Sequence, residues 1–148
     1  MGAVSVATMA YDIQVVIDAS DPHTQADWWA QTLGWTVEVS DEAFIRRMVA
    51  EGQAQESDTT THRGTLVWKT GAAIRPPDGS RRVLFNAVPE AKSVKNRVHL
   101  DIRVGDEGRD EVVAGLIARG ATQLYAERQG PFSWVTMADP EGNEFCVT

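Results

Sequence analysis

Along Arg97-Val98-His99-Leu100-Asp101-Ile102-Arg103-Val104, polar and apolar residues alternate. In an extended strand that period places His99, Asp101 and Arg103 on one face and the four aliphatic residues on the other. Histidine titrates near neutrality, so His99 is the candidate catalytic residue, as acid/base or as ligand. It can equally be a cavity-lining residue hydrogen-bonded to Asp101 or water. Asp101 and Arg103 are candidate substrate contacts from the same face. Near the end of the chain, Glu144 and Cys146 share a strand face, which makes Glu144 a further contact. Cys146 has no activating neighbour in the sequence apart from His99, and a buried free cysteine usually serves as a small core residue. Trp68 and Trp134 alternate with polar residues; they suit either the wall of a pocket for a flat organic ligand or packing under helices.

The strand that carries His99 is an echo. About 85 residues earlier, Asp12-Ile13-Gln14-Val15-Val16-Ile17-Asp18-Ala19-Ser20-Asp21 has the same alternation and also closes on an aspartate, as the later run does at Asp106. Aligning Asp21 with Asp106 sets Gln14 beside His99, and period two puts Gln14, Val16 and Asp18 on one face. Asp18 is then the counterpart of Arg103, and the two suit an ion pair across the seam. Each copy continues into a helical stretch that ends in glycine, at Gly34 and Gly120.

The rest of the chain follows from these marks. A strand over 13–19 leads to a helix capped by Asp21, with Pro22 at its first position, running to about residue 33. A strand over 35–39 precedes a helix over 41–51 with Phe44, Ile45, Met48 and Val49 at helical spacing. Residues 53–63 read as a polar loop, 64–69 as a strand, 71–80 as a turn and 82–88 as a strand. Residues 89–96 form a linker with Lys92 and Lys95, whose charges solvate it. The second half gives a strand over 97–104, a helix over 106–119, a strand over 122–127, and a hairpin of 133–138 with 144–147 around Asp139-Pro140-Glu141-Gly142-Asn143. Trp28 and Trp29 are adjacent on a helix, which predicts one in the core and one near an interface. His23 and His62 read as exposed.

The chain has 148 residues, 43% of them hydrophobic, with five tryptophans, a net charge of -7 and one cysteine. That length is one domain, or two half-domains sharing a core. The acidity argues against a nucleic-acid partner, and the lone cysteine fits a reducing cytoplasm. Residues 1–10 are too short to span a bilayer, so no membrane partner is expected and 1–11 read as a tail. The remainder divides into module one (12–88), the linker and module two (97–148).

Two βαβββ modules, the strand-ending aspartates, the glycine helix ends and the closing Asp-Pro-Glu-Gly-Asn turn together resemble the vicinal oxygen chelate superfamily. This superfamily includes glyoxalases, extradiol dioxygenases, and fosfomycin and bleomycin resistance proteins. The ending Asp-Pro-Glu-Gly-Asn-Glu-Phe-Cys-Val is most similar to the glyoxalase-like group common in actinobacteria. The resemblance implies an α+β fold in which tandem βαβββ modules form one open, cupped eight-stranded barrel. It also implies a divalent metal held by two side chains from each module. Carried onto this chain, those positions are Gln14, His99, Cys146 and either Phe85 or Asn86. Two positions that usually carry carboxylates therefore lack them, which disfavours a metal cofactor, although Glu144 stands close enough to substitute. The expected function is binding, and transformation, of a small organic substrate in the cavity between the modules. The alternative is a non-catalytic protein that sequesters a drug or metabolite, of the bleomycin-resistance type. A homodimer is expected, with the Phe44 helix or the tryptophan pair at its interface.

Overall fold

The structure, a computed structural model, describes residues 10–148. Strand β1 (Val15–Ala19) leads into helix α1 (Pro22–Leu33). Asp21 caps the helix by accepting from the Thr24 N–H at 3.1 Å and the Thr24 hydroxyl at 2.6 Å. Gly34 stops it in the left-handed region, at φ 67°. Strand β2 (Thr36–Val37) and helix α2 (Glu42–Ala50) follow, the latter capped by Asp41 through the Phe44 N–H. Then come β3 (Thr59–His62), β4 (Thr65–Trp68), β5 (Gly71–Arg75) and β6 (Val83–Ala87). Module two supplies β7 (Asp101–Ile102), α3 (Arg109–Ala118), β8 (Thr122–Gln129), β9 (Phe132–Ala138) and β10 (Glu144–Val147).

These strands form two four-stranded sheets of identical plan, β1-β6-β5-β2 and β7-β10-β9-β8, plus the β3-β4 hairpin. In each sheet the first strand runs parallel to the last, and the other pairs are antiparallel. The ten strands thus replace the expected eight, and among the described residues no sheet closes into a barrel. Three local readings also change. Residues 71–75 are a strand, not part of a turn, and the turn is confined to the proline-rich stretch after them. The polar run at 53–63 contains a 3₁₀ turn (Glu56–Asp58) and β3. The strand around His99 makes ladder pairs only at Asp101 and Ile102.

The shared plan fixes the equivalence of the halves. Thr36 and Thr122 open β2 and β8, each two residues after the helix-ending glycine. Val16 pairs with Leu84 where Asp101 pairs with Cys146. Leu84, and not Phe85 or Asn86, is therefore the counterpart of Cys146, and two residues earlier, just before β6 begins, Arg82 is the counterpart of Glu144. Phe85 and its equivalent Val147 are both fully buried.

One core joins the modules. Trp28, Trp29 and Phe145 pack edge-to-face, with ring centroids 5.1 to 5.9 Å apart. Both tryptophans are buried, so neither is available to an interface, contrary to the sequence expectation. Ile74, Phe85, Met137 and Val147 complete the centre. No helix of the described residues is long and apolar enough to cross a membrane.

Candidate functional site

Strand β10 turns Glu144 and Cys146 to one side, and its parallel neighbour β7 sets Asp101 directly beside Cys146. His99 lies two residues before Asp101, on the same face. The ligand atoms of His99, Asp101 and Cys146 all lie within 4.8 Å of one another. The His99 Nε2 is 3.5 Å from the Asp101 carboxylate, and the Thr136 hydroxyl on β9 is 3.5 Å from the Cys146 sulfur. Trp134 and Tyr125 complete the wall of this cavity, which has a volume of about 270 Å³. His99 and Glu144 also face a larger cavity of about 560 Å³ at the seam. Its lining comes from β1 (Val16, Asp18), the linker (Lys92, Asn96) and the closing turn (Glu141, Asn143).

Glu144 is held in place. Its side chain is 12% exposed and bonds Lys92 Nζ at 3.2 Å. Its other oxygen accepts from the Asn96 backbone N–H at 3.0 Å. Burial alone would raise its pKa, but the bonds from Asn96, its own backbone and Lys92, with the Lys92 charge, outweigh that and hold it below the ordinary glutamate range. Both Glu144 oxygens are thus engaged by the linker, through Lys92 and Asn96.

The closing turn docks module two onto module one. Glu141 accepts from the backbone N–H groups of Ser20 (2.6 Å) and Asp21 (3.1 Å). Asp139, buried beneath it, accepts from Gln25 and Trp29 of α1. The sequence reading took these residues only as a hairpin turn. Their acidic side chains at a turn were the available signal, but their partners lie more than 100 residues away.

Of the sequence candidates, His99, Asp101, Trp134, Glu144 and Cys146 line one cavity. Gln14 does not join them: it is exposed, and its side-chain oxygen accepts from Arg82 Nε at 2.8 Å. That bond lies where module two has His99 beside Glu144. Arg103 is exposed outside both cavities and forms no ion pair with Asp18, which lines the seam cavity alone. Trp68 lines a separate cavity of about 420 Å³ in module one. His23 and His62 also lie there, half-buried rather than exposed. The two rings stack at 5.2 Å; His62 pairs with Asp27 at 2.7 Å, and His23 Nε2 is 2.7 Å from the Trp68 carbonyl.

The glyoxalase-like domain family matches residues 14–148, nearly the whole chain. The protein belongs to that family. No curated protein matches the sequence. Among solved structures, a glyoxalase/bleomycin resistance protein/dioxygenase family enzyme from Burkholderia phytofirmans is similar at 20% identity and TM-score 0.57, over 90% of this chain and 94% of that one. A glyoxalase family protein from Bacillus cereus is similar at 16% identity and TM-score 0.58, over 98% and 97%. The fosfomycin resistance protein FosX from Listeria monocytogenes gives 9% identity and TM-score 0.61, over 95% and 93%. At these identities the likeness is one of fold.

The metal set that the resemblance implies, two side chains from each module, does not fit this glyoxalase-like chain. Gln14 is engaged by Arg82, Phe85 is fully buried in the core, and Leu84 at the position equivalent to Cys146 has no donor atom.

Proposed function

We propose that this glyoxalase-like protein, of the type common in actinobacteria, binds and transforms a small organic molecule in the cavity cupped between its modules. His99 is the reactive group of the wall. The observation that carries this reading is that His99 lines both the seam cavity and the smaller one. A substrate lodged against Val16 and Asp18 would reach that imidazole, and Lys92 and Asn96 would border it from the linker.

A second reading, sequestration of a drug or metabolite without turnover, is favoured by Trp134 and Tyr125 in the smaller cavity, since flat aromatic walls can hold a ring with no chemistry. We place either activity in a homodimer in the cytoplasm, where the free thiol of Cys146 stays reduced.

The test is a turnover screen with a hemithioacetal and glutathione, and a thermal-shift screen with aromatic metabolites and antibiotics. For the enzyme, His99→Gln should keep ligand affinity and cut turnover by about 10²–10⁴-fold. For the binder, the wild type turns nothing over, and the same change shifts affinity by about 0.5–1.5 kcal/mol. Turnover that survives His99→Gln unchanged would defeat the role given to this residue.

A further inference from the structure

We infer that the seam cavity selects an organic cation: a protonated amine, amidine or guanidine on a small apolar body. This rests on the reading above, that the seam receives the small molecule, and names the class of that molecule.

The charge of the wall carries the inference. Five carboxylates line the seam, Asp18, Glu90, Asp139, Glu141 and Glu144, against one cation, Lys92. Lys92 pairs with Glu144. Glu141 is held by the backbone N–H groups of Ser20 and Asp21, and Asp139 by Gln25, Trp29 and the N–H groups of its own turn. Those donors are neutral, so neither charge is cancelled. Asp18 and Glu90 are exposed, and among the described residues their side chains have neither an ion pair nor a hydrogen bond. Four uncompensated negative charges, in a chain whose net charge is -7, thus line one cavity of about 560 Å³.

The spread of these groups decides against a metal ion. Among the described residues, no three of the five carboxylates stand close enough to share one. They act instead as a field, which a recess concentrates. A carboxylate about 4 Å away favours a monovalent cation about fivefold even at the dielectric constant of water. Val16 and Val98, 48% and 80% exposed, line the same cavity and offer apolar surface to the body of the molecule. The same charges disfavour a glutathione conjugate, in which carboxylates outnumber ammonium groups.

The test is calorimetric titration of the full-length protein with three probes of similar shape: benzylammonium, benzyl alcohol and benzoate. Amide chemical shifts of Val16, Val88 and Asn96 locate the bound probe at the seam. Benzylammonium should bind at least about 10-fold more tightly than benzyl alcohol, with benzoate weaker still. The advantage should shrink as salt rises from about 0.01 to 1 M, where the screening length falls from about 30 to about 3 Å. Asp18→Asn with Glu90→Gln should remove most of it. Glu51→Gln with Glu107→Gln, which takes the same charge from exposed positions outside the cavities, should leave it intact. Circular dichroism establishes that both double variants fold; if one does not, the order of the probes and their salt dependence in the wild type carry the test. Benzoate binding as tight as benzylammonium, an equal loss in both double variants, or turnover of a glutathione hemithioacetal would overturn the inference and leave the proposed function standing. So would a seam that takes none of the three probes while binding compounds of the thermal-shift screen. A seam that binds nothing of any charge would overturn both.

Discussion

Trp29 in α1 donates its indole N–H to the Asp139 carboxylate, 3.0 Å away across the boundary between the modules. Gln25 Nε2 reaches the same oxygen at 2.9 Å. The other oxygen takes the backbone N–H groups of Glu141 and Asn143 at 2.9 and 3.0 Å. Trp29 and Asp139 are 2% and 3% exposed, so each depends on these bonds in place of water. Asp139→Ala leaves two buried donors of α1 unpaired, and a stability loss of at least about 2 kcal/mol is expected. Urea unfolding should show a lower midpoint with an unchanged slope.

Gly71 is fixed by close approach. A Cβ there would stand 2.8 Å from the Phe85 carbonyl oxygen and 3.4 Å from a Leu84 methyl. The nearer atom is the backbone carbonyl of Phe85, a fully buried residue paired on both sides in the sheet, so it cannot swing aside. Gly71→Ala should cost about 1–3 kcal/mol, read as a drop in thermal midpoint. Gly52→Ala, with open space around it but a left-handed φ of 74°, tests conformational strain alone.

The cap of α1 makes stability depend on pH. Partial burial pushes the Asp21 pKa up, but the Thr24 hydroxyl and N–H, the His62 charge and the His23 N–H outweigh it, so it lies below the ordinary aspartate range. A carboxyl with a lowered folded-state pKa stabilises above its unfolded pKa, and that stability is lost as pH falls through the folded value. Asp21→Asn keeps a competent cap without the charge. The denaturation midpoints of the two proteins should differ near neutrality and converge in acid. A difference that persists unchanged to low pH would refute the assignment.

Strand β8 is the free edge of its sheet, and all eight of its residues are exposed, Leu124 and Tyr125 at 45% each. Long open edges pair with other strands. Light scattering at micromolar concentration should report the mass of two chains, and Leu124→Lys should reduce it to one. A monomeric wild type would count against the dimer.

The helices were legible because their ends are written in side chains: Asp21, Pro22 and Gly34 bracket α1, and Asp41 opens α2. Strand β5 was not, because Gly71-Ala72-Ala73 has low strand propensity and runs into two prolines; its place comes from pairing with β6. Strand β3 hid in a polar threonine run that pairs only with β4. At the site, alternation was enough to put His99 and Asp101 on one face. It could not set Asp101 beside Cys146, because that depends on the register between strands 45 residues apart. Gln14 followed the repeat faithfully in sequence, yet Arg82 claimed it.

Where module two presents His99, Asp101 and Cys146, the matching positions of module one hold Gln14, Val16 and Leu84, the last two pairs fixed by the strand ladders. A doubled plan of this kind splits the filters acting on inherited variation. A change at Gln14 or Leu84, outside the seam cavity, is judged by whether the protein still folds. A change at His99, Asp101 or Cys146 must pass that trial and then a second one, set by whatever molecule or ion the cavity receives. Val16 and Asp18, which line the seam from the first half, meet that second trial too, so the boundary between the two kinds of position follows the cavity wall and not the midpoint of the gene.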